Sequence, residues 1–143
     1  MLLLDVNVVV HAHRWRDAEE AAQIREWLNA RLVGGEPLGI SELVLSAMIR
    51  IVTNGRIFRD PTPPAQALEF AQALLDAPAA VSVRPGARQW PIFSNLVATQ
   101  RLRANDVPDA YLAAMAMERG ATFVTRDGGF GRFPGLRLLD PLA

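Results

Sequence analysis

The sequence predicts an α/β fold in which a mainly parallel sheet of four to five strands is flanked by helices. Short apolar runs, typical of buried strands, alternate with longer segments that have helical periodicity. Of the 143 residues, 50% are hydrophobic and 21% are charged, which is the composition of an ordinary globular domain. We therefore treat residues 1–143 as a single domain.

The first apolar run, MLLLDVNVVV, contains one acid, Asp5. An unpaired charge inside a strand that is buried on both faces would be strongly unfavourable, so the run must be divided. We predict a strand over Met1–Leu4 that ends at Asp5, with the carboxylate at the carboxyl edge of the sheet. Residues 6–10 then begin the next element.

The following segments alternate in the same way. Residues 17–32 carry apolar side chains at helical spacing, with acids early and Arg late, and two glycines end this helix. Residues 41–54 form an apolar-rich helix for which Ser41 is a suitable N-cap. The remaining predicted helices cover 65–76, 89–102 and 105–120, and the remaining strands cover 37–40, 80–83, 121–125 and 135–139, with a turn at 126–130.

Carboxylates follow the ends of several predicted strands. Asp5 ends the first strand, Glu42 follows the second, and Asp127 comes two residues after strand 121–125. Asp109 lies in the first turn of the helix before that strand. Because parallel α/β sheets form their sites beyond the carboxyl ends of their strands, we expect these four acids to converge.

Two further charged residues have less definite roles. Asp106 either caps the helix that carries Asp109 or is a fifth acid of the site. Arg50 follows Glu42 by eight residues, so it lies on a similar side of the helix, either at the same edge or on a solvated face.

Four close carboxylates repel one another unless a cation lies between them, and oxygen ligands suit Mg²⁺ or Mn²⁺. Such a site supports phosphodiester hydrolysis by a metal-activated water. With the four acids set aside, 15 Arg face 11 acids, an excess of four positive charges that favours a polyanionic substrate only modestly.

Absent residue types exclude several classes of protein. There is no Cys, which excludes disulfides and thiol nucleophiles, and there is no Lys, which excludes P-loop and Schiff-base chemistry. No apolar run has the length of a membrane span, and no basic segment precedes the first strand as in a signal peptide. We therefore expect a cytoplasmic protein.

Four stretches, in order along the whole chain, resemble the PIN-domain ribonucleases, in particular the VapC toxins of bacterial toxin–antitoxin pairs. They are LLLDVNVVV, SELVLSAMIRIVTN, DAYLAAMAMERGATFVTRDGGF and GRFPGLRLLDPL. The resemblance implies a Mg²⁺-dependent endoribonuclease, with Mn²⁺ as a substitute. Its catalytic and metal-binding acids would be Asp5, Glu42, Asp109 and Asp127, with Asn7, Thr125 and Ser41 as supporting polar residues.

The same resemblance implies a homodimer and a small cognate antitoxin whose C-terminal segment occupies the groove near the acids. Arg50 is then a candidate contact for RNA or for the antitoxin. The chain departs from the family pattern at Gly128-Gly129, where more polar residues are common, and at the additional acid Asp106.

Other classes of protein also gather acids at strand ends. A response-regulator receiver requires a Lys on its last strand, and a haloacid-dehalogenase-type phosphatase requires Asp where this chain has Asn7. Both also conflict with the absence of Lys. The alternative that stays open is a catalytically inactive PIN-like module that binds RNA or an antitoxin.

Overall fold

The computed structural model describes all residues, 1–143, and contains one five-stranded sheet with helices on both faces. The strands are β1 (Leu2–Leu4), β2 (Leu38–Ile40), β3 (Ala80–Ser82), β4 (Thr122–Val124) and β5 (Arg137–Leu139). The helices are α1 (Val6–His13), α2 (Glu19–Leu32), α3 (Glu42–Val52), α4 (Pro64–Leu75), α5 (Gln89–Gln100) and α6 (Asp106–Arg119). A 3-10 helix, Gly128–Arg132, lies between β4 and β5.

All strand pairs are parallel, and the strand order is β3-β2-β1-β4-β5. The predicted fold class is confirmed. β1 is the central strand, with Leu3 opposite Gly39 of β2 and Phe123 of β4. Its three leucines are fully or almost fully buried and belong to one core of 30 buried residues. The carboxyl end of β1 is therefore fixed in the middle of one sheet edge.

The division of the first apolar run is also confirmed. β1 ends at Leu4, and α1 begins at Val6 directly after Asp5. Valine is a poor helix former because its branched side chain is restricted in a helix. Val8 and Val9 are nonetheless completely buried within α1, so tertiary packing stabilises a segment whose local preference is extended.

The other predicted elements are all present, with ends that coincide or differ by at most two residues. α3 is capped as predicted: the Ser41 hydroxyl accepts a hydrogen bond from the Leu43 N–H at 3.2 Å. α4 starts at Pro64. Proline is suited to this position because the N–H group that it lacks would have no hydrogen-bond partner within the helix. The predicted turn after β4 continues as the 3-10 helix. None of the helices combines the length and the apolar character that crossing a membrane requires.

Gly39 is the position where the sheet has least room for a side chain. A Cβ atom on Gly39 would lie 2.9 Å from Val83 Cγ2 and 3.0 Å from the backbone oxygen of Leu2. The Leu2 oxygen belongs to the backbone of the neighbouring strand, so it cannot move aside as a side chain could. We predict that Gly39→Ala lowers the free energy of unfolding by about 1–3 kcal/mol through overpacking, measured by urea denaturation.

Gly35→Ala is the matched control for this change. Gly35 lies in the loop before β2, and no atom lies within 4 Å of the added Cβ, so the substitution should leave stability nearly unchanged. A Gly39→Ala variant that is as stable as the parent would contradict this account of the sheet.

Candidate active site

Asp5 is the buried end of the site. It is 5% exposed and lies at the junction of β1 and α1, with extended backbone. Its Oδ1 accepts a hydrogen bond from the Val6 N–H at 2.7 Å, which caps α1. This cap is compatible with a role of Asp5 in the site, because Oδ2 is engaged by other partners.

Thr125 and Asn7 hold that second oxygen. The Thr125 hydroxyl donates to Asp5 Oδ2 at 2.6 Å, and the Asn7 amide donates to both Asp5 Oδ2 and Thr125 Oγ1 at 3.1 Å. Asn7 Oδ1 in turn accepts the Arg126 N–H at 3.1 Å. The Asp5 carboxylate is therefore fixed in orientation by β4 and α1 together.

Asp127 is joined to this network through Thr125. The Asp127 N–H donates to Thr125 Oγ1 at 2.9 Å, and Asp127 Oδ1 accepts the Gly129 N–H at 2.8 Å. Asp127 thus caps the 3-10 helix while its side chain stays exposed. A Cβ on Gly129 would approach Asp127 Oδ1 to 2.9 Å, so glycine at 129 leaves room for this carboxylate.

Asp109 and Asp106 share one arginine. Arg132 Nη2 lies 3.0 Å from Asp109 Oδ2 and 3.0 Å from Asp106 Oδ1. Both acids lie in the first turn of α6, whose N-cap is Asn105 without a side-chain cap bond. The expectation that Asp106 caps this helix is therefore wrong: Asp106 is the first residue within the helix, and its carboxylate binds Arg132 instead.

One cleft brings together three of the four predicted acids. Asp5, Asp109 and Asp127 line a cleft of about 870 Å³, together with Asn7 and Arg50. The walls are mostly apolar and come from α1, α3, α5 and α6. No ion pair of the chain involves Arg50. The cleft therefore combines three carboxylates with mostly apolar walls, and the guanidinium of Arg50, on α3, has no ion-pair partner.

Glu42 does not line this cleft. It lies in the first turn of α3, and its Oε2 is 3.2 Å from Arg84 Nη2, in an ion pair whose two side chains are 63% and 75% exposed. Glu42 and Arg84 border a separate depression beside Ser41. An exposed pair of this kind contributes at most about 1 kcal/mol, so it holds Glu42 only weakly.

The electrostatics of the cleft centre on Asp5. Burial raises the pKa of the Asp5 carboxyl above its usual range, and the charges of Asp109 and Asp127 raise it further. The hydrogen bonds from Thr125 and the Val6 N–H lower this pKa but do not cancel the increase. The local donors therefore do not fully compensate a negative charge at Asp5.

The side chains of the cleft include the type of ligand that a hard divalent cation prefers. Asp5, Asp109 and Asp127 offer carboxylate oxygens, the ligands that Mg²⁺ and Mn²⁺ prefer, around an under-compensated charge. In the structure no three His, Asp or Glu side chains lie at the spacing of a metal site. Arg132 pairs with Asp109 through Oδ2, so a cation at that oxygen would compete with this arginine.

Two arginines of the site were not among the predicted residues. Arg132 lies in the GRFPGLRL stretch, five residues after Asp127, and Arg84 follows β3 by two residues. The sequence offered one weak indication of each: Arg84 is a basic residue shortly after a strand end, and Arg132 is a basic residue shortly after an acid. In a chain with 15 arginines, that signal selects no particular residue.

Comparison with known proteins agrees with the fold. The family model described as PIN domain matches residues 2–136. The ribonuclease VapC43 of Mycobacterium tuberculosis is 46% identical over 142 residues, which cover 99% of this chain and 96% of the relative. The ribonuclease VapC31 of the same species is 33% identical over 141 residues, covering 99% of both chains.

Solved structures share the fold at lower sequence identity. The crystal structure of VapBC2 from Rickettsia felis, bound to a DNA fragment from its promoter, contains a chain that superposes with a TM-score of 0.71 at 19% identity, covering 96% of both chains. The family assignment rests on the sequence matches, and the superposition supports the architecture. On this basis the chain belongs to the PIN-domain family and, within it, to the VapC group.

Proposed function

We propose that this chain is a metal-dependent endoribonuclease that acts as the toxin of a toxin–antitoxin pair in the cytoplasm. The observation that carries the proposal is the convergence of Asp5, Asp109 and Asp127 on one cleft from three separate parts of the chain. The names of the VapC relatives support RNA as the substrate class.

Asp5, Asp109 and Asp127 would hold Mg²⁺, or Mn²⁺ in its place. When bound, the cation supplies an activated water and neutralises charge that develops on the phosphate. Thr125, Asn7 and the Val6 N–H keep the Asp5 carboxylate in one orientation, so that little reorganisation is needed at this ligand.

Glu42 is proposed as the fourth acid of the site. Its ion pair with Arg84 is exposed and weak, so the side chain is not committed to that partner. Ser41 fixes the start of α3 and thereby the backbone position of Glu42. Arg50 is the proposed contact for a phosphate of the RNA or for the antitoxin, since it lines the cleft without an acidic partner.

The proposed partners follow from the same cleft and the same relatives. The apolar walls suit an extended segment of a small antitoxin, which would cover the acids and block access of RNA. A chain of a toxin–antitoxin complex from Klebsiella pneumoniae superposes with a TM-score of 0.63 at 18% identity, which supports a partner of this kind. We also propose that the chain forms a homodimer, as is implied by its resemblance to VapC toxins.

A second candidate function is a binding module without catalysis. The engagement of Asp109 by Arg132 favours it, because this contact leaves Asp109 paired without a metal. The two functions differ in one measurable respect, which is cleavage of RNA.

Cleavage should depend on a divalent cation and on Asp5. Purified chain, freed of any partner, should cut structured RNAs in Mg²⁺ or Mn²⁺ and not in EDTA. Asp5→Asn removes a charged ligand while keeping the shape of the side chain, so we expect activity to fall by about two to three orders of magnitude. Gel analysis of end-labelled RNA measures both effects.

Glu69→Gln is the control, since Glu69 is exposed on α4 and contributes to no ion pair. Equal cleavage by the parent and Asp5→Asn would overturn the catalytic assignment. Absence of cleavage by any variant would favour the binding module. In cells, induced expression of the parent, but not of Asp5→Asn, should slow growth.

Replacement of Asp5 by Asn should raise the stability of the chain, although it lowers the activity. Because the folded chain has a raised Asp5 pKa, the protonated form is favoured by folding, and stability is lost as pH rises from about 4, the ordinary value, through the raised one. At pH 7.5 in EDTA, Asp5→Asn should therefore unfold about 3–5 °C higher than the parent.

The difference in melting temperature should shrink as pH falls below about 4, where Asp5 becomes protonated in the unfolded chain as well as in the folded chain. Saturating Mn²⁺ should stabilise the parent more than Asp5→Asn. An Asp5→Asn variant that is less stable than the parent at pH 7.5 in EDTA would show that the Asp5 charge is well compensated by its local donors.

A further inference from the structure

We infer that Arg132 competes with the divalent cation for Asp109, and that Asp106 is the residue that retains the Arg132 guanidinium when the cation binds. Arg132 and Asp106 are then positioning residues, and Asp106 is not a metal ligand. The inference rests on the proposed function, since it assumes a cation at Asp109.

Arg132 is held in place by several contacts at once. Its Nη2 donates to Asp106 and to Asp109, its Nη1 donates to the Gly129 carbonyl, and its guanidinium carbon lies 4.4 Å from the centre of the Phe133 ring. Arginine is suited to this combination because its planar group stacks and donates in several directions. The guanidinium is therefore a defined part of the site, although its side chain is 32% exposed.

The two acids that bind Arg132 differ in their surroundings. Asp109 lines the cleft and its side chain is 32% exposed, whereas Asp106 does not line the cleft and its side chain is 51% exposed. Of this pair, only Asp109 shares the cleft with Asp5 and Asp127. Asp109 is therefore the acid that a cation would take, and Asp106 is the one left for Arg132.

The contact between Arg132 and Asp109 excludes a cation from the same oxygen. Arg132 Nη2 lies 3.0 Å from Asp109 Oδ2, and a divalent cation bound there would repel the guanidinium strongly at that distance. Binding of the cation to Asp109 Oδ2 must therefore break this pair. The pair with Asp106, also 3.0 Å long, has no such conflict, so the guanidinium keeps one carboxylate partner.

The 3-10 helix makes this exchange a local event. Gly128–Arg132 carries Asp127 as its cap and Arg132 as its last residue, so an acid and the competing arginine belong to one short element. A Cβ on Gly129 would lie 2.9 Å from Asp127 Oδ1 and 3.2 Å from Arg132 Nη1. Glycine at this position lets both side chains fold back over the same peptide.

Affinity for Mn²⁺, measured by isothermal titration calorimetry on the full chain, tests the competition. Arg132→Gln should bind Mn²⁺ roughly three- to tenfold more tightly than the parent, because a partly exposed charged pair with Asp109 no longer has to be broken. Arg56→Gln is the matched control: it removes the same charge from an exposed side chain between α3 and α4 that does not line the cleft and belongs to no ion pair.

The role of Asp106 is tested in the background that lacks the arginine. Adding Asp106→Asn to Arg132→Gln should change Mn²⁺ affinity by less than about twofold, since Asp106 then has no guanidinium to retain. A further loss of about tenfold or more would identify Asp106 as a metal ligand and overturn that part of the inference.

Thermal unfolding gives a readout that does not depend on activity. In EDTA, Arg132→Gln should melt below Arg56→Gln, because Asp109 loses its counter-charge. In saturating Mn²⁺ this deficit should shrink or disappear, as tighter binding requires. A deficit of the same size in both conditions would mean that Arg132 only stabilises the fold.

The outcomes separate the two proposals. If the parent binds Mn²⁺ and cleaves RNA but Arg132→Gln binds no more tightly than Arg56→Gln, the competition is wrong and the proposed function stands. If neither the parent nor Arg132→Gln binds Mn²⁺, both proposals fail. If only Arg132→Gln binds Mn²⁺, the competition is supported in its strongest form.

Discussion

The negative charge of Asp5 is the constraint around which the rest of the site is arranged. Asp5 lies at the carboxyl end of the central strand and is buried, so its carboxylate has little contact with solvent. Thr125 of the neighbouring chain segment, Asn7 of α1 and the Val6 N–H all donate to it. These donors fix the carboxylate, but burial and two nearby acids still raise its pKa, so the fold retains an electrostatic cost at this point. A cation is the natural compensation, and a cost of this kind is common where function and stability oppose each other.

Two of the four predicted acids are paired with arginines. Asp109 pairs with Arg132, and Glu42 pairs with Arg84. The two arginines lie on different sides of the site and are partly or largely exposed, so their pairs are weaker than a buried pair and can be exchanged. These pairs reduce the repulsion among the acids. In the proposed metal site, affinity would be a balance between the cation and these internal counter-charges.

The fold and part of the site could be predicted from the sequence because they depend on patterns along the chain. Strand and helix periodicity identified the alternating elements, and the rule for parallel sheets placed Asp5 and Asp127 at one edge. α1 was recognised only as a new element after Asp5, since a run of valines carries a strand-like preference that packing overrides. Arg132 was missed because its contacts with Asp106 and Asp109 span 26 and 23 residues and depend on side-chain placement in a short 3-10 helix. Glu42 was correctly placed at a strand end, but its side-chain partner, Arg84, depends on the path of a loop that periodicity does not describe.

Anomalous diffraction from crystals grown in Mn²⁺ would test most directly whether this acidic edge is a metal site. The account predicts a manganese peak between Asp5, Asp109 and Asp127, with the Arg132 guanidinium withdrawn from Asp109 and still bound to Asp106. A well-ordered cleft with no manganese peak, and with Arg132 still bridging Asp106 and Asp109 at saturating Mn²⁺, would contradict it.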